Sequence, residues 1–547
     1  MYSKLLDKSS FKFTYNTIIY IIISLGVFFR LYHFLNNRSL WVDEIFLSSG
    51  LIHHTFKEIF TQPLAYFQKA PPGYLLFARL GIAFLGQNEM GLRIYSLICG
   101  IVALFAFLPM VRYFLKPGSQ VLAIAILSFS PWIIYHSVEA KPYISELLAS
   151  IIVILWYIKY HNTNSLTRYF IWGISGVIIV WFCYSVIFVL AATGITAAVL
   201  YMKKRNWRGV LLLAIPAAMW VVSFIISYLM YAKEGSEHDW LIIFWEKNGG
   251  YIPTQFLPAI EWIFHRMFSV FDYPLGLSWT NNWSVHSKMQ LMLIRMAFLP
   301  IPFFLIGIYF FFKQSKANFL LLGSLFLIVI TASALKLYPI SIRLMTYLAP
   351  FCILLIAGGF EYLLKLKLAV KISAVVLSIL ILIGPIKNSF SQVINPGFFG
   401  EDKKAHQREA LFYINNNYQP GDVVYVYRND VPGYTLYKKM YNLKFEGIIG
   451  NDYRTRSTSF NNYLFNLSKD FSSFKGKKRV WIINNGWMDQ IPGDSYDQPD
   501  WYYINHQNIP RFESWLESIA ILKARYNPGK NEPDDMHVRL MDFSKYH

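Results

Sequence analysis

The sequence predicts an α-helical polytopic membrane protein that carries a soluble α/β domain at its C-terminal end. Three observations lead to this fold class. Of the 547 residues, 55% are hydrophobic and only 15% are charged, against about 25% charged in an average soluble domain. Apolar segments of the length that a bilayer requires, about 20 residues, recur along the first part of the chain. After residue 390 the composition changes abruptly to that of a soluble protein.

The apolar segments predict about 11 transmembrane helices, and at most 13. They lie near residues 15–35, 93–114, 119–136, 142–159, 168–183, 185–201, 208–231, 291–312, 317–335, 341–364 and 371–390. Lys and Arg cluster in every second connection, for example in 203–208 and 365–371, which is the pattern of cytoplasmic loops. We therefore expect a multi-pass protein of the plasma (inner) membrane with a cytoplasmic N-terminus. No cleavage pattern follows the first segment, so it is predicted to stay as a helix.

The distribution of charge argues against nucleic-acid binding, and the positions of the cysteines argue against disulfides and cysteine-based zinc sites. The formal charge of +19 would indicate a nucleic-acid partner in a soluble protein, but here the basic residues fall between apolar segments, so nucleic-acid binding is not expected. The three cysteines, Cys99, Cys183 and Cys352, all lie inside apolar segments. Disulfides and cysteine-based zinc sites are therefore not expected.

The spans define a transmembrane domain, 1–390, with two long external loops, 36–92 and 232–290. In the first loop, Thr55–Gln68 and Gly73–Gly86 are predicted as interfacial or re-entrant helices at the membrane surface, since counting the second as a span would reverse the charge pattern. The second loop contains an amphipathic piece, Ile260–Phe271, for which a surface helix is favoured over a catalytic role. It also contains Glu237-His238-Asp239, but three contiguous residues cannot all face one metal ion in regular structure.

Residues 391–547 are predicted to form an extracytoplasmic α/β domain, because 11 spans that start inside end outside. Helical patterns alternate there with short apolar strands, which is typical of a small α/β layer. The predicted helices cover 401–417, 432–441, 458–468 and 509–521, and the predicted strands cover 423–427 and 479–484. No glycine-rich phosphate loop precedes these helices, so a nucleotide site is not expected.

Two adjacent carboxylates, Asp43 and Glu44, directly follow the first span. An ionised Asp close to hydrocarbon costs roughly 2.5–3.5 kcal/mol on insertion scales, so a catalytic pair is the leading interpretation. The alternative is a solvated pair at the start of the next helix, where acidic residues are favoured.

Further polar residues are predicted on the same outer side. They are Glu139 and Lys141 in the loop after the third span, and Tyr338 and Arg343 before a late span. Arg30 lies inside the outer end of the first span, where a charge must face the bundle or the interface. For Arg30, a structural ion pair with Glu139 or Glu44 and a contact to substrate are equally open.

Together these motifs resemble the GT-C glycosyltransferases, in the branch that includes protein O-mannosyltransferases and lipid A aminoarabinose transferases. The resemblance covers roughly residues 1–390 in order. It rests on Trp41-Val42-Asp43-Glu44, Pro71-Pro72-Gly73-Tyr74, Arg93, Ser137-Val138-Glu139-Ala140-Lys141-Pro142-Tyr143 and Tyr338-Pro339 with Arg343. It implies a polyprenyl-phosphate sugar donor, a glycan, lipid or protein acceptor, and chemistry on the extracytoplasmic face.

The resemblance also implies roles for the candidate residues. Asp43 is expected to act as general base in an inverting transfer, with Glu44 and Glu139 as further acidic groups. Three roles stay open for Glu44, namely orienting Asp43, holding a cation or capping its helix. For Glu139 an ion pair that holds its loop and a contact to the sugar are both open.

The leaving phosphate needs fixed cations. Arg343 is the first choice because guanidinium pairs bidentately with phosphate, although an arginine that only reaches for the membrane interface is its alternative. Lys69, Lys141, Tyr338 and Arg30 are further candidates for binding the donor phosphate.

At two places the residues of this sequence differ from those of the branch, which limits the properties of its members that can be expected here. Lys69-Ala70 precedes the prolines where the lipid A enzymes have Glu-Lys, and Lys141 stands where relatives often have Arg. Neither sugar nor acceptor is therefore assigned. No cofactor is implied with certainty; a divalent metal stays open, with His53 and His54 on the outer side. The competing functions are a lipid-linked sugar transporter or flippase, and a polysaccharide polymerase or ligase.

Overall fold

The structure is a computed structural model that describes residues 2–162, 165–232, 239–279, 295–296, 298–401, 405–486, 499–503, 508–529 and 534–545. Helices dominate the part that precedes residue 400, and a five-stranded sheet lies after it. The helices are α1 Tyr2–Asn36, α2 Val42–His53, α3 Glu58–Thr61, α4 Pro72–Leu85, α5 Glu89–Phe114, α6 Pro117–Phe129, α7 Pro131–His136, α8 Tyr143–Tyr160, α9 Leu166–Val180, α10 Val186–Lys203, α11 Trp207–Ser227, α12 Asp239–Lys247, α13 Phe256–Asp272, α14 Pro300–Gln314, α15 Lys316–Ala334, α16 Ala349–Leu363, α17 Leu368–Ile394, α18 Gln407–Asn417, α19 Val431–Met440, α20 Phe460–Phe471, α21 Asp500–Tyr503 and α22 Asn508–Ile519. The strands are β1 Val423–Val426, β2 Gly447–Ile449, β3 Val480–Asn485, β4 Ile521–Arg525 and β5 Met536–Asp542.

The predicted fold class is confirmed. Among the described residues, eight helices are long and apolar enough to cross a membrane, and four shorter apolar helices accompany them. Each of the eleven predicted segments coincides with one of these twelve helices. Those at 119–136, 168–183 and 291–312 coincide with the shorter helices α6, α9 and α14. The fourth short helix, α4, is the segment that the charge pattern kept out of the count of spans.

Two predicted elements differ from the structure. Thr55–Gln68 is not one helix: it holds only the four-residue α3 and a 3₁₀ turn at Ala65–Phe67, since Pro63 interrupts it and removes a backbone donor. The segment 119–136 is divided, because Pro131 ends α6 at Phe129 and begins α7, where the side chain of Ser130 accepts a hydrogen bond from Ile133 N. Of Glu237-His238-Asp239, the first two residues and the side chain of the third lie outside the described part of the chain.

The chain divides into two compact units. The first contains Met1–Asn36, Ala70–Gly81 and Arg93–Phe399, and the second contains Asn37–Lys69, Ile82–Leu92 and Gly400–His547. The second unit therefore combines the C-terminal α/β domain with most of the loop that follows α1. The predicted orientation of these parts across the membrane stays a prediction.

The first unit is a bundle whose helices approach closely through small residues. A Cβ at Gly307 of α14 would stand 1.8 Å from the carbonyl oxygen of Leu355 in α16, and one at Gly359 of α16 would stand 1.9 Å from that of Phe303. Small residues allow such contact between membrane helices, where packing rather than water exclusion drives association. Helix α1 packs on α6 in the same bundle.

The second unit is organised around a sheet with strand order β2-β1-β3-β5-β4. Strand β1 pairs in parallel with β2 and β3, while β5 pairs antiparallel with β3 and β4. The central strand β3 is buried from Val480 to Asn484, which is the pattern of a strand covered on both faces. Its core includes Tyr425, Tyr463, Phe471, Phe512 and Phe543. The sequence predicted β1 and β3 but missed β2, β4 and β5.

Candidate functional site

The eight predicted site residues fall into both units. Asp43, Glu44 and Lys69 belong to the second, and the remaining five belong to the first. Each group is described by itself, and the convergence of the two groups in one pocket stays a prediction.

Asp43 and Glu44 stand in the first turn of α2 in different surroundings. Glu44 is fully buried; its carboxylate accepts a hydrogen bond from Trp41 N at 3.3 Å and pairs with Arg38 Nη1 at 2.7 Å. This contact caps the helix at its third position. Asp43 is only partly buried. The contact of Glu44 with Trp41 N fits the capping role among those left open, and Glu44 is buried whereas Asp43 is partly exposed.

The other candidates of the second unit are more exposed. Lys69 is an exposed residue two positions after the 3₁₀ turn Ala65–Phe67. His53, at the end of α2, places its Nδ1 2.8 Å from the carbonyl oxygen of Ser49. In the described part of the chain, no group of three His, Cys, Asp or Glu residues is close enough to hold a metal ion.

In the first unit, Glu139 is the end of a buried hydrogen-bonded chain. Glu139 Oε2 lies 2.6 Å from His136 Nδ1, and His136 Nε2 lies 2.7 Å from the hydroxyl of Tyr273. When Nδ1–H donates to the carboxylate, Nε2 is the acceptor for the phenol. Glu139 and His136 are fully buried. The loop between α7 and α8 is thereby joined to the residue that follows α13.

Arg30 supports the same loop from α1. Its guanidinium donates to Ser137 Oγ at 3.1 Å, to Gly26 O at 2.8 Å, to Ser128 O at 3.4 Å and to Leu127 O at 3.3 Å. These acceptors, the ones that Arg30 has within the described residues, are neutral oxygens. The expected alternative, an ion pair of Arg30 with Glu139 or Glu44, is therefore not the arrangement found.

Lys141 and Arg343 lie near the start of α8. Lys141 is buried, its backbone N donates to Glu139 O at 2.8 Å, and its carbonyl accepts from Ser96 Oγ at 3.3 Å. The guanidinium carbon of Arg343 is 5.9 Å from the ring centroid of Tyr143. That ring is also 5.1 Å from the imidazole of His136. Tyr143 thus lies beside both Arg343 and the chain that ends at Glu139.

Tyr338 fixes the segment that bears Arg343. Its hydroxyl donates to Leu344 O at 2.8 Å, and its ring packs edge-on against Phe188 at 5.1 Å and Tyr347 at 5.9 Å. Burial, followed by the nearby groups Tyr347 and Glu146, raises the pKa of Tyr338 well above its ordinary value. Tyr338 therefore stays a neutral hydrogen-bond donor.

An apolar cavity of about 410 Å³ opens in the first unit beside this segment. Ile340, Met345 and Leu348 line it on the side of the Arg343 segment. Other residues of α13, α14, α15 and α16, nearly all apolar, line the rest, and Gly323 of α15 leaves one wall without a side chain. The described membrane unit therefore contains an apolar space whose lining includes one cation, Arg266 of α13.

No family model and no curated protein sequence matches the chain. Solved structures that resemble it over nearly its whole length include two of ArnT from Cupriavidus metallidurans, one bound to undecaprenyl phosphate and one in the apo state. The first has a TM-score of 0.49 and 10% identity and covers 97% of this chain and 98% of that chain. The second has a TM-score of 0.48 and 10% identity and covers 98% of each chain.

ArnT is a lipid A aminoarabinose transferase. At this TM-score and identity the likeness assigns neither an activity nor a site to this chain.

Three residues of this region were missed in the sequence. His136 precedes Glu139 by three positions, a spacing that brings side chains together on a helical turn, and this was an available signal. Glu146 is a carboxylate inside an apolar span, which is a recognised functional signal; it is buried and accepts from Ser185 Oγ at 3.2 Å. Tyr273 gave no local signal, because only the fold brings it to His136.

Proposed function

We propose that this chain is a membrane glycosyltransferase that moves one sugar, with inversion, from a polyprenyl-phosphate donor to an acceptor on the extracytoplasmic face. The observation that carries the proposal is the position of Arg343 in the segment Ile342–Leu348, of which Met345 and Leu348 line the apolar cavity. A guanidinium beside an apolar space fits a lipid phosphate, since the cation holds the phosphate while the cavity takes part of the isoprenoid chain.

In the proposed reaction an acceptor hydroxyl attacks the anomeric carbon from the face opposite the phosphate. The new carbon–oxygen bond forms as the bond to the phosphate oxygen breaks, and that oxygen keeps the electron pair. Asp43 takes the proton of the hydroxyl, which is the role of a general base. Arg343 stabilises the charge that develops on the phosphate.

The remaining candidates receive supporting roles in this proposal. Lys141 and Lys69 are assigned to the donor phosphate together with Arg343, and Glu139 is assigned to the sugar. Tyr338 and Arg30 are assigned to the same donor site. The contacts of Tyr338 support a role in positioning Arg343. The contacts of Arg30 support a role in holding the loop that bears Glu139. No step is assigned to a metal. The acceptor class, whether protein, lipid or glycan, is left open.

The test is the release of undecaprenyl phosphate from a panel of undecaprenyl-phosphate sugars, added to membranes that contain the protein. Release reports transfer whichever acceptor the membranes supply. We expect Asp43→Asn to lower the rate by about 10²–10⁴-fold, the usual contribution of a general base. We expect Arg343→Gln to weaken retention of undecaprenyl phosphate by the purified protein.

Two control variants accompany the test. Glu58→Gln changes a partly exposed carboxylate at the start of α3, and Arg208→Gln changes an exposed arginine of α11; both should match the wild type. Full activity of a well-folded Asp43→Asn protein would overturn the assignment of the base. Movement of intact donor across vesicles, without release of undecaprenyl phosphate, would instead indicate the transporter.

A further inference from the structure

The segment that leads from α1 to Asp43 has no regular secondary structure and is nevertheless buried. Ser39 is 2% exposed and Leu40 is 0% exposed. Buried backbone groups outside helices and strands need partners from elsewhere in the fold. What holds this segment therefore decides where α2, and with it Asp43, begins.

Two residues of the α/β domain supply these partners within the second unit. The hydroxyl of Tyr437 accepts a hydrogen bond from Leu40 N at 2.9 Å and lies 3.0 Å from Ser39 Oγ. Arg408 donates from its backbone N to Ser39 Oγ at 3.0 Å and from Nη2 to Asn37 O at 2.9 Å. Four contacts, on Asn37, Ser39 and Leu40, thus come from the C-terminal domain.

Glu89 fixes both of these residues in turn. Its Oε1 accepts from Arg408 Nη1 at 2.9 Å and from the Tyr437 hydroxyl at 3.1 Å, while its Oε2 accepts from Tyr441. Glu89 is fully buried, and charge-assisted hydrogen bonds of this kind are stronger than neutral ones. Helix α2 also packs along α19, which carries Tyr437. The contacts form a clamp of Glu89, Arg408 and Tyr437 around residues 37–40.

We infer that this clamp makes Tyr437 and Arg408 positioning residues for Asp43. The inference rests on the proposed function, because it takes Asp43 as the general base. It gives the C-terminal domain a task beyond binding an acceptor or covering a site: the domain sets the start of the helix on which the base stands. Displacing a reacting group by about 1 Å costs on the order of 10²-fold in rate.

The first experiment compares Tyr437→Phe with Tyr413→Phe in the full-length protein. Tyr413 lies half-buried on α18, and its hydroxyl has no hydrogen bond to another described residue. With the assay for undecaprenyl phosphate release, Tyr437→Phe should lower kcat by about 10–100-fold and change the donor KM by less than about threefold. Tyr413→Phe should match the wild type in both constants.

A double-mutant cycle separates positioning from a general loss of stability. Ser39→Ala removes the other side of the same contact, so the double variant with Tyr437→Phe should be no slower than the slower single variant. Rate losses that multiply would overturn the inference. Ser39→Ala also serves as the test if Tyr437→Phe does not accumulate in membranes.

A readout independent of turnover separates this inference from the proposed function. Hydrogen–deuterium exchange of residues 37–44 should rise in Tyr437→Phe and stay at the wild-type level in Tyr413→Phe. Failure of the wild type to release undecaprenyl phosphate would defeat the proposed function, and exchange would still report on the clamp. Normal kcat in Tyr437→Phe, together with an inactive Asp43→Asn, would defeat the positioning role alone.

Discussion

Glu44→Gln isolates the charge of the carboxylate that follows Asp43. Gln at this helix position keeps an acceptor for Trp41 N, so the cap is retained. What is lost is the partner of Arg38, whose side chain is only 8% exposed, while that of Glu44 is 0% exposed. Removing one member of a buried ion pair typically costs about 3–5 kcal/mol. Arg38 also donates to Ser39 O at 3.0 Å, so we expect the lower end, about 3 kcal/mol.

The assay is thermal unfolding of the detergent-purified protein. For a unit of this size, 1 kcal/mol shifts the midpoint by about 2–4 °C, so we expect a fall of about 6–12 °C. Arg38→Met combined with Glu44→Gln should recover most of this loss, because both charges of the buried pair are then removed. Glu58→Gln, which alters a cap of the same spacing at α3, should shift the midpoint little. A Glu44→Gln protein as stable as the wild type would refute the buried pair.

Three further predictions follow from other parts of the chain. Gly323→Phe should fill the apolar cavity and abolish retention of undecaprenyl phosphate through purification, whereas Gly323→Ala, whose Cβ would meet no atom within 4 Å, should retain it; equal retention by both would refute a lipid in the cavity. Tyr273→Phe should leave His136 Nε2 buried without its hydrogen bond and cost about 1–3 kcal/mol of unfolding free energy; an unchanged denaturation midpoint would show that this contact is not formed. Burial opposes charging of His537, but the hydrogen bond and charge of Glu513 outweigh it and raise its pKa. That stabilisation is complete below the unfolded value of about 6.5 and is lost as pH rises through the folded one, so the unfolding midpoint should fall from pH 6 to pH 9, and fall less in His537→Gln.

The pair of His537 and Glu513 also makes the stability of the domain depend on pH in the acid range, where stability falls as pH falls. Burial raises the pKa of Glu513, but hydrogen bonds from His537 and Arg539 outweigh it and lower that pKa to about 2. A depressed carboxyl pKa stabilises the fold above the unfolded value and ceases to do so as pH falls through the folded one. The domain should therefore lose this contribution between about pH 4.5 and pH 2, as a lower unfolding midpoint would show.

The bundle was predictable because its signal is local. Each long apolar segment indicates a membrane span by itself, and the Lys and Arg residues between segments indicate which connections are cytoplasmic. The divided segment at Pro131 and the interrupted Thr55–Gln68 helix were mispredicted, although prolines mark both places. Strand β4 was missed because it has no residue buried along its length, so its pattern resembles that of a loop.

The candidate site was predictable only in part. The acidic pair was found from its place after the first span. The different burial of its members, a buried Glu44 and a partly exposed Asp43, could not be predicted from the neighbouring residues in the sequence. For Arg30 an ion pair with a carboxylate and a contact to substrate were equally open, and its observed acceptors are neutral oxygens of the fold. His136 and Tyr273 meet across 137 positions of sequence, a distance over which no local pattern carries information.

The clamp on residues 37–40 also has a consequence for biosynthesis. Ser39 and the hydroxyl of Tyr437 are separated by 398 positions. At a synthesis rate of 5–20 residues per second, Tyr437 leaves the ribosome about 20–80 s after Ser39 does. During that interval the contacts of Tyr437 with Ser39 and Leu40 cannot form. A chain that stalls before Tyr437 therefore lacks this support for the start of α2.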